Sequence, residues 1–359
     1  MRCLASVVLF AALSPGAYGQ QVAALVAPFD SSRAGGPQLG ERSAMILNLQ
    51  IWQTLRIPPT ADGRKSTGMV LWVTFSDPPK SQAEAKRLAS YVSDDPRIVL
   101  WGRAWHFGGG TVVEAFLLVR SKEDDPVLSN DIWHVTLSPH GTLAVGVPRA
   151  EVEFAPVVLR TDLLGDLEDP SGLKLYADRT RNEVKGTLGD AFRALEQADD
   201  MALVKLPNGD TGWVYLPSLS ADRSEVVDFT AGLIRIFRHD WPGAIDMFTR
   251  VVNNSHTPTS VRVDAYLYLS LAADMVDQGS YQWAKKAYEA NPYSKSVVQY
   301  LCMSRVSDFN RLDARDQRGE RGLQLLRSLN EIAIGSSALF PPKDPWLKSV
   351  QEFVGARLH

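Results

Sequence analysis

Apolar and polar positions change their period twice along this chain, which predicts three stretches of different texture. The first opens on VAALVAPFD, an apolar run stopped at Pro28 and read as a short strand. A loop through Gly35, Gly36 and Pro37 leads into LGERSAMILNLQIWQTLR, where Leu39, Met45, Ile46, Leu49, Trp52 and Leu55 recur at helical spacing. That spacing predicts an amphipathic helix ending before Pro58. MVLWVTFS, rich in branched and aromatic residues and closed by Asp77-Pro78-Pro79, reads as a strand. SQAEAKRLASYV reads as a second helix, with Ser81 as N-cap and Glu84 completing a capping box. RIVLWGRAWHF and TVVEAFLLVR flank the glycines 108–110 as a hairpin. Strand, helix, strand, helix, strand, strand describes a small α/β sandwich. After the polar loop KEDDPVLSN come DIWHVTL and VEFAPVVLR, two strand-like runs around a turn at Ser138-Pro139-His140-Gly141. They either extend the first sheet or bridge to the next domain.

The second stretch, residues 161–222, is all strand. LKLYA, VKGTLG and AFRALE precede ALVKLPNGDTGWVYL, in which Asn208-Gly209 is a strong hairpin signal because both residues tolerate positive φ. Gly212 removes a side chain directly before Trp213, so the indole can lie flat over a small sheet. Alternation puts Trp213 and Tyr215 on one face and Val214 and Leu216 on the other. The apolar pair suits a core. The aromatic pair then packs on a neighbouring domain or offers a platform to a ligand.

The third stretch, residues 223–359, is helical throughout. The expected fold is therefore multidomain α+β: an α/β sandwich over 20–160, a small all-β barrel over 161–222, and all-α helical repeats over 223–359.

These strings carry three resemblances. The opening strand ending near Pro28-Phe29, the helix after a glycine loop, and IVLWGRAWHFGGGTVVEAFLLV resemble the amino-terminal domain of the Tol-system translocation protein TolB. That resemblance implies a docking module without an active site. LPNGDTGWV resembles the end of bacterial Src-homology-3-like domains, with Leu175 and Tyr176 matching the opening strand, Gly186 to Leu188 the second, and Val204 the strand before the turn. Met201 departs from the aromatic usual there and puts a ligand groove in doubt. By this resemblance the module binds peptides or cell-wall stem peptides, or braces its neighbours, and Tyr176, Trp213 and Tyr215 become partner-binding candidates. In VVDFTAGLIRIFRHDWPGAIDMFTRVV, Gly232 is followed by Ala244 and Phe248 at the offsets used by tetratricopeptide repeats, and a second unit closes in AYEANP, with Ala287 and Pro292. SKSVVQYLCMSRVSDF with RGLQLLRSLNEIA gives a third, degenerate unit, and WLKSVQEFVGARL a last helix. Such arrays resemble scaffolds that hold partners in a groove, which singles out Arg262, Gln299 and Met303.

Composition narrows the picture further. A length of 359 residues suits two or three domains, and 45% hydrophobic content suits packed cores. A net charge of −3 without clustered Lys and Arg argues against a nucleic-acid surface. MRCLASVVLFAALSPGAYGQ has a basic start, about ten apolar residues, a Ser-Pro-Gly break and a small-Tyr-small end, the pattern of a signal peptide over residues 1–19. No other segment is long enough to span a membrane. The mature chain is expected to be periplasmic or secreted, and keeps only Cys302, a structural thiol in this reading.

Candidate chemistry is sparse. The six histidines, His106, His134, His140, His239, His256 and His359, lack metal-ligand spacing, and no cofactor or metal is expected. The glycines 108–110 lack the Lys-Ser/Thr of a phosphate loop, no Gly-x-Ser-x-Gly elbow occurs, and Glu123-Asp124-Asp125 reads as a solvated loop. The expectation is an exported, non-catalytic adaptor or scaffold of the bacterial envelope, with a protein or peptide partner, or peptidoglycan. The alternative is an accessory subunit of an envelope enzyme, or an enzyme whose site is assembled from distant residues.

Overall fold

The computed structural model describes residues 24–32, 37–55, 70–72, 77–91, 96–107, 110–120, 132–137, 141–159, 174–188, 193–198, 201–206, 208–215 and 224–358. The expected signal peptide, the acidic loop at 123–125, and His140 and His359 lie outside the described residues. The chain mixes sheet and helix and ends in a helical region. It divides into two compact units that are interleaved in sequence: Met1–Arg120 with Glu151–Phe237, and Ser121–Ala150 with Arg238–His359. Three successive segments were expected after the signal peptide.

Among the described residues the first unit holds an eleven-stranded sheet. Its centre is β1 (Ala24–Val26), parallel to both β2 (Val70–Trp72) and β3 (Ile98–Phe107). β4 (Gly110–Val119) returns antiparallel along the whole of β3. Helix α1 (Pro37–Leu55) packs against β1, β2 and β3, and α2 (Gln82–Tyr91) against β3 and β4. Ala85, Leu88 and Ala89 of α2 join Leu25, Ala27, Val99, Trp101 and Leu118 in one apolar cluster. Ser81 accepts a hydrogen bond from the Glu84 amide at 3.3 Å, while the Glu84 carboxylate accepts from the Lys80 amide at 2.8 Å. The capping box thus closes one residue earlier than the standard pairing. Beyond β1 the strand hugs β3, with the Asp30 amide donating to Gly102 O at 2.8 Å. A Cβ on Gly102 would stand 2.0 Å from Glu114 O and 2.8 Å from the Phe29 ring, so that crossing needs glycine.

The run VEFAPVVLR supplies β7 (Glu151–Glu153) and β8 (Val157–Leu159), both paired with β4. β9 (Lys174–Tyr176), β10 (Val184–Thr187), β11 (Arg193–Ala198), β12 (Met201–Lys205) and β13 (Thr211–Tyr215) form an antiparallel run in the order β10-β9-β13-β12-β11. The sequence placed these strands in a barrel of their own. In the structure β11 meets β2 at Arg193 and Leu71, and the run continues the same sheet.

Helix α3 (Glu225–Phe237) was expected to open the helical repeats. It belongs instead to the first unit and packs on α1. Eleven of its residues are buried, Arg235 donates to Leu55 O, and Phe229 meets Phe154 edge to face at 5.6 Å. An apolar surface that covers most of a helix requires neighbours on several sides, and the first unit provides them. The same holds for α1, in which every described side chain from Ser43 to Leu55 is buried. It is a central helix rather than the amphipathic one its periodicity predicts.

The second unit contains α4 (Trp241–Asn253), α5 (Thr259–Met275), α6 (Tyr281–Ala290), α7 (Lys295–Asn310), α8 (Ala314–Arg318), α9 (Glu320–Gly335) and α10 (Pro345–Leu358). Asp240 caps α4 by accepting from the Gly243 amide at 3.1 Å, and Pro242 sits in the first turn, where a missing N–H costs nothing. α4, α5, α6 and α7 pack in succession, α7 on α9, and α9 on α10. Phe248 stacks on Tyr268 with centroids 5.1 Å apart, and Cys302 is fully buried, its thiol pushed up to about 12 by burial. Lying across this stack is β5 (Trp133–Thr136) paired with β6 (Thr142–Val145), a separate two-stranded sheet.

Asn48, 1% exposed on α1, has no hydrogen-bond partner among the described residues for either end of its amide. A buried, unpaired amide costs about 1–3 kcal/mol, and leucine has nearly its shape. Asn48→Leu should therefore raise the unfolding free energy by about 1–3 kcal/mol in urea titration; an unchanged or lower value would contradict this account.

Candidate functional site

Each unit presents one surface on which polar and aromatic side chains converge. In the first, Trp213 of β13 sits directly across from Tyr176 of β9, so these two share a face with Tyr215. The opposite face is core: Val214 and Leu175 are buried, and a Cβ on Gly212 would stand 2.4 Å from Leu175 Cγ. Trp213, Tyr176 and Tyr215 are half-buried. The turn after β9 lays Arg179 over the Trp213 ring at 5.6 Å and Arg181 over the Tyr215 ring at 4.0 Å. Asp178 shapes that turn by accepting from the Thr180 amide at 2.8 Å and hydroxyl at 2.5 Å, bonds that hold its carboxyl below the usual range. Stacking leaves the in-plane N–H groups of a guanidinium free to donate. The indole is therefore covered by an arginine of its own unit. Met201 lies opposite Tyr215 and is buried. The Asn208-Gly209 turn is longer than two residues: the Leu206 amide donates to Asp210 O at 2.8 Å, and Gly209 takes the left-handed φ of 91°.

In the second unit the three sequence candidates have separate fates. Arg262 donates to Asn254 O and Thr257 O at 3.3 and 3.0 Å, pinning the turn between α4 and α5. Met303 is fully buried and offers no surface. Gln299 is half-buried on α7.

The residues that do converge lie under the β5–β6 hairpin. Its inward side chains Trp133, Val135, Leu137, Leu143 and Val145 are all buried. The Trp133 indole donates to Asp274 Oδ2 at 3.1 Å, and its ring meets Tyr300 edge to face at 5.5 Å. Asp274 is held in turn by Ser280 at 3.1 Å and Arg311 at 2.9 Å. Four side chains donate to main-chain carbonyls of the hairpin segment: Asn310 to Thr136 O at 2.7 Å, Trp346 to Ala144 O at 3.2 Å, Tyr300 to Gly146 O at 3.0 Å and Ser296 to Pro148 O at 3.2 Å. Ala144 O lies on the outer edge of β6, Gly146 O and Pro148 O belong to the segment that follows and bends at Pro148, and Val145 O accepts from the Ile132 amide on the other edge. Arg149 closes the row, its Nε 2.6 Å from Asp264 Oδ2 on α5.

Sequence reasoning missed Trp133, Asp264, Asp274, Asn310 and Trp346. A signal existed for the two acids, which interrupt the apolar run VDAYLYLSLAAD. Their partners in the hairpin segment, Arg149 and Trp133, come from more than a hundred residues away, and no local pattern identifies those. An open cleft of about 700 Å³ beside α7 and α9 gathers Arg305, Asp308, Arg311 and Arg321, but Arg311 is already bound to Asp274 and Asp277. Among the described residues no group of three or more His, Cys, Asp or Glu side chains is placed to hold a metal ion. Among them, too, no helix is long and apolar enough to cross a membrane. In comparison with known proteins, no family model, no curated protein and no solved structure matches the chain.

Burial pushes the Asp264 carboxyl up to about 6, against the opposing pull of Arg149. Between about pH 4 and 6 the native chain holds a proton that the unfolded chain has released, so this group's contribution falls as pH rises through that window and is level above it. Asp264→Asn should remove that slope: the stability difference between wild type and variant, from urea titrations across pH 4 to 7, should change by about 1 kcal/mol or more and flatten above pH 6. A difference constant with pH would contradict the assignment.

Proposed function

We propose that this chain is an exported, non-catalytic adaptor of the bacterial envelope, working in the periplasm or outside the cell through protein or peptide partners. One observation supports it above the others: the helical stack of the second unit holds the chain's own β5–β6 hairpin and the residues after it by donating side-chain hydrogen bonds to main-chain carbonyls. Contacts of that kind read backbone rather than side chains, and they suit a surface whose task is to hold extended chain. On this reading the helices are tetratricopeptide-like. The strands β9 to β13 are a Src-homology-3-like module fused to an α/β sheet of TolB type. The face bearing Tyr176, Trp213 and Tyr215 is a second contact surface, where two stacked guanidiniums favour a partner with carboxylates, such as an acidic peptide or a cell-wall stem peptide.

The test is a pull-down from envelope extract with the purified chain lacking residues 1–19, run beside Trp213→Ala and Gln299→Ala. The expected result is a discrete, stoichiometric protein partner whose recovery drops about tenfold in one of the two variants. Recovery of no protein partner, or turnover of an envelope substrate by the purified chain alone, would overturn the adaptor reading.

A further inference from the structure

One row of cross-strand neighbours, Val184, Tyr176, Trp213 and Leu203, crosses the sheet face that carries Trp213, and none of the four is buried. Arg179 and Arg181 are exposed and lie over the Trp213 and Tyr215 rings. Among the described residues neither guanidinium has a carboxylate partner. The acids close by in sequence are engaged elsewhere or stand apart: Asp178 accepts from Thr180, Asp210 accepts from Asn208, and Glu183 pairs with neither arginine. Lys174 and Lys205 stand on the same face, each two residues along its strand from Tyr176 or Leu203. A chain of net charge −3 thus presents a locally positive, part-aromatic surface. Arg181 is held at the left-handed φ of 63°, where glycine or asparagine sits more easily. The turn carries an arginine where its backbone favours another residue, a mark of selection for the side chain.

Trp213 and Tyr215 are two residues apart on one strand, so their rings repeat at about 7 Å. The guanidiniums above them follow that repeat, and so do the side chains on one face of any extended polypeptide. We propose that this face binds an extended segment of another protein in which acidic residues alternate, one carboxylate pairing with Arg179 and the next but one with Arg181. The proposal rests on the adaptor reading and names the chemistry of the partner. Each ring fixes one side of a guanidinium plane and leaves the edge N–H groups in the fork that a carboxylate accepts. A single-stranded nucleic acid fits less well, because the arginines occupy the ring faces on which its bases would stack.

The probe is a fluorescein-labelled hexapeptide of alternating Thr and Glu, titrated by anisotropy into the same purified chain. A peptide of the same composition with its Glu residues in one block is the comparison. The alternating peptide should bind about fivefold or more tighter than the block peptide, and about tenfold weaker to Arg179→Ala or Arg181→Ala than to wild type. Arg181→Gly suits the left-handed φ, so it should unfold within about 2 °C of wild type and still lose about tenfold in affinity. An arginine that only shields Tyr215 would give the reverse, a lower unfolding temperature with unchanged affinity. That result, no binding, equal affinity for the two peptides, or a preference for an oligothymidine or a soluble muropeptide would overturn the proposal. The extract pull-down reads separately: a partner lost in Gln299→Ala preserves the adaptor reading even where the peptide fails to bind.

Discussion

A two-stranded sheet has two bare edges and one apolar face, and no pair of strands can satisfy all three by itself. The second unit is organised around that constraint. Asn310 caps the outer edge of β5 and Trp346 that of β6, while Tyr300 and Ser296 hold the segment that follows β6. The apolar face is closed by the helices, with Trp133 as its deepest anchor. Because three of these caps come from α7 and the fourth, Trp346, from α10, the hairpin also ties those two helices together. Asp274 is the junction, joining the indole of the hairpin, the hydroxyl before α6 and the guanidinium after α7.

Burying acids at such a junction has a cost, and the two acids meet it differently. Asp274 accepts three donors, enough to satisfy a carboxylate in a low-dielectric setting. Asp264 faces one partially exposed guanidinium, and burial outweighs that attraction.

The first unit answers a different constraint. Its sheet takes strands from both ends of the unit's sequence, and the parallel centre of β1, β2 and β3 requires helices over both faces. α1 and α2 supply them, and α3, arriving from the far end of the unit, covers α1 in turn. The aromatic face of β13 stays at the surface, and arginines of the turn after β9 lie on it. Trp213 therefore needs no neighbouring domain to shield it.

Much of this was legible in the sequence. The long helices α3 to α7, α9 and α10 follow from the helical texture of the last third of the sequence, and β3 and β4 from branched and aromatic residues around a glycine turn, whereas the short α8 was not expected. The α2 cap follows from Ser81 and Glu84, and the split between Val214 in the core and Trp213 outside from simple alternation. These are short-range properties, decided by residues within one or two turns of each other. Tertiary structure alone decided that β11 would join β2, that α3 would side with α1, and that TLAV would pair with WHVT. It also decided that Asp264 and Asp274 would face Arg149 and Trp133. Local patterns encode which face of an element is apolar, whereas the identity of what covers that face depends on the free energy of packing the whole chain at once.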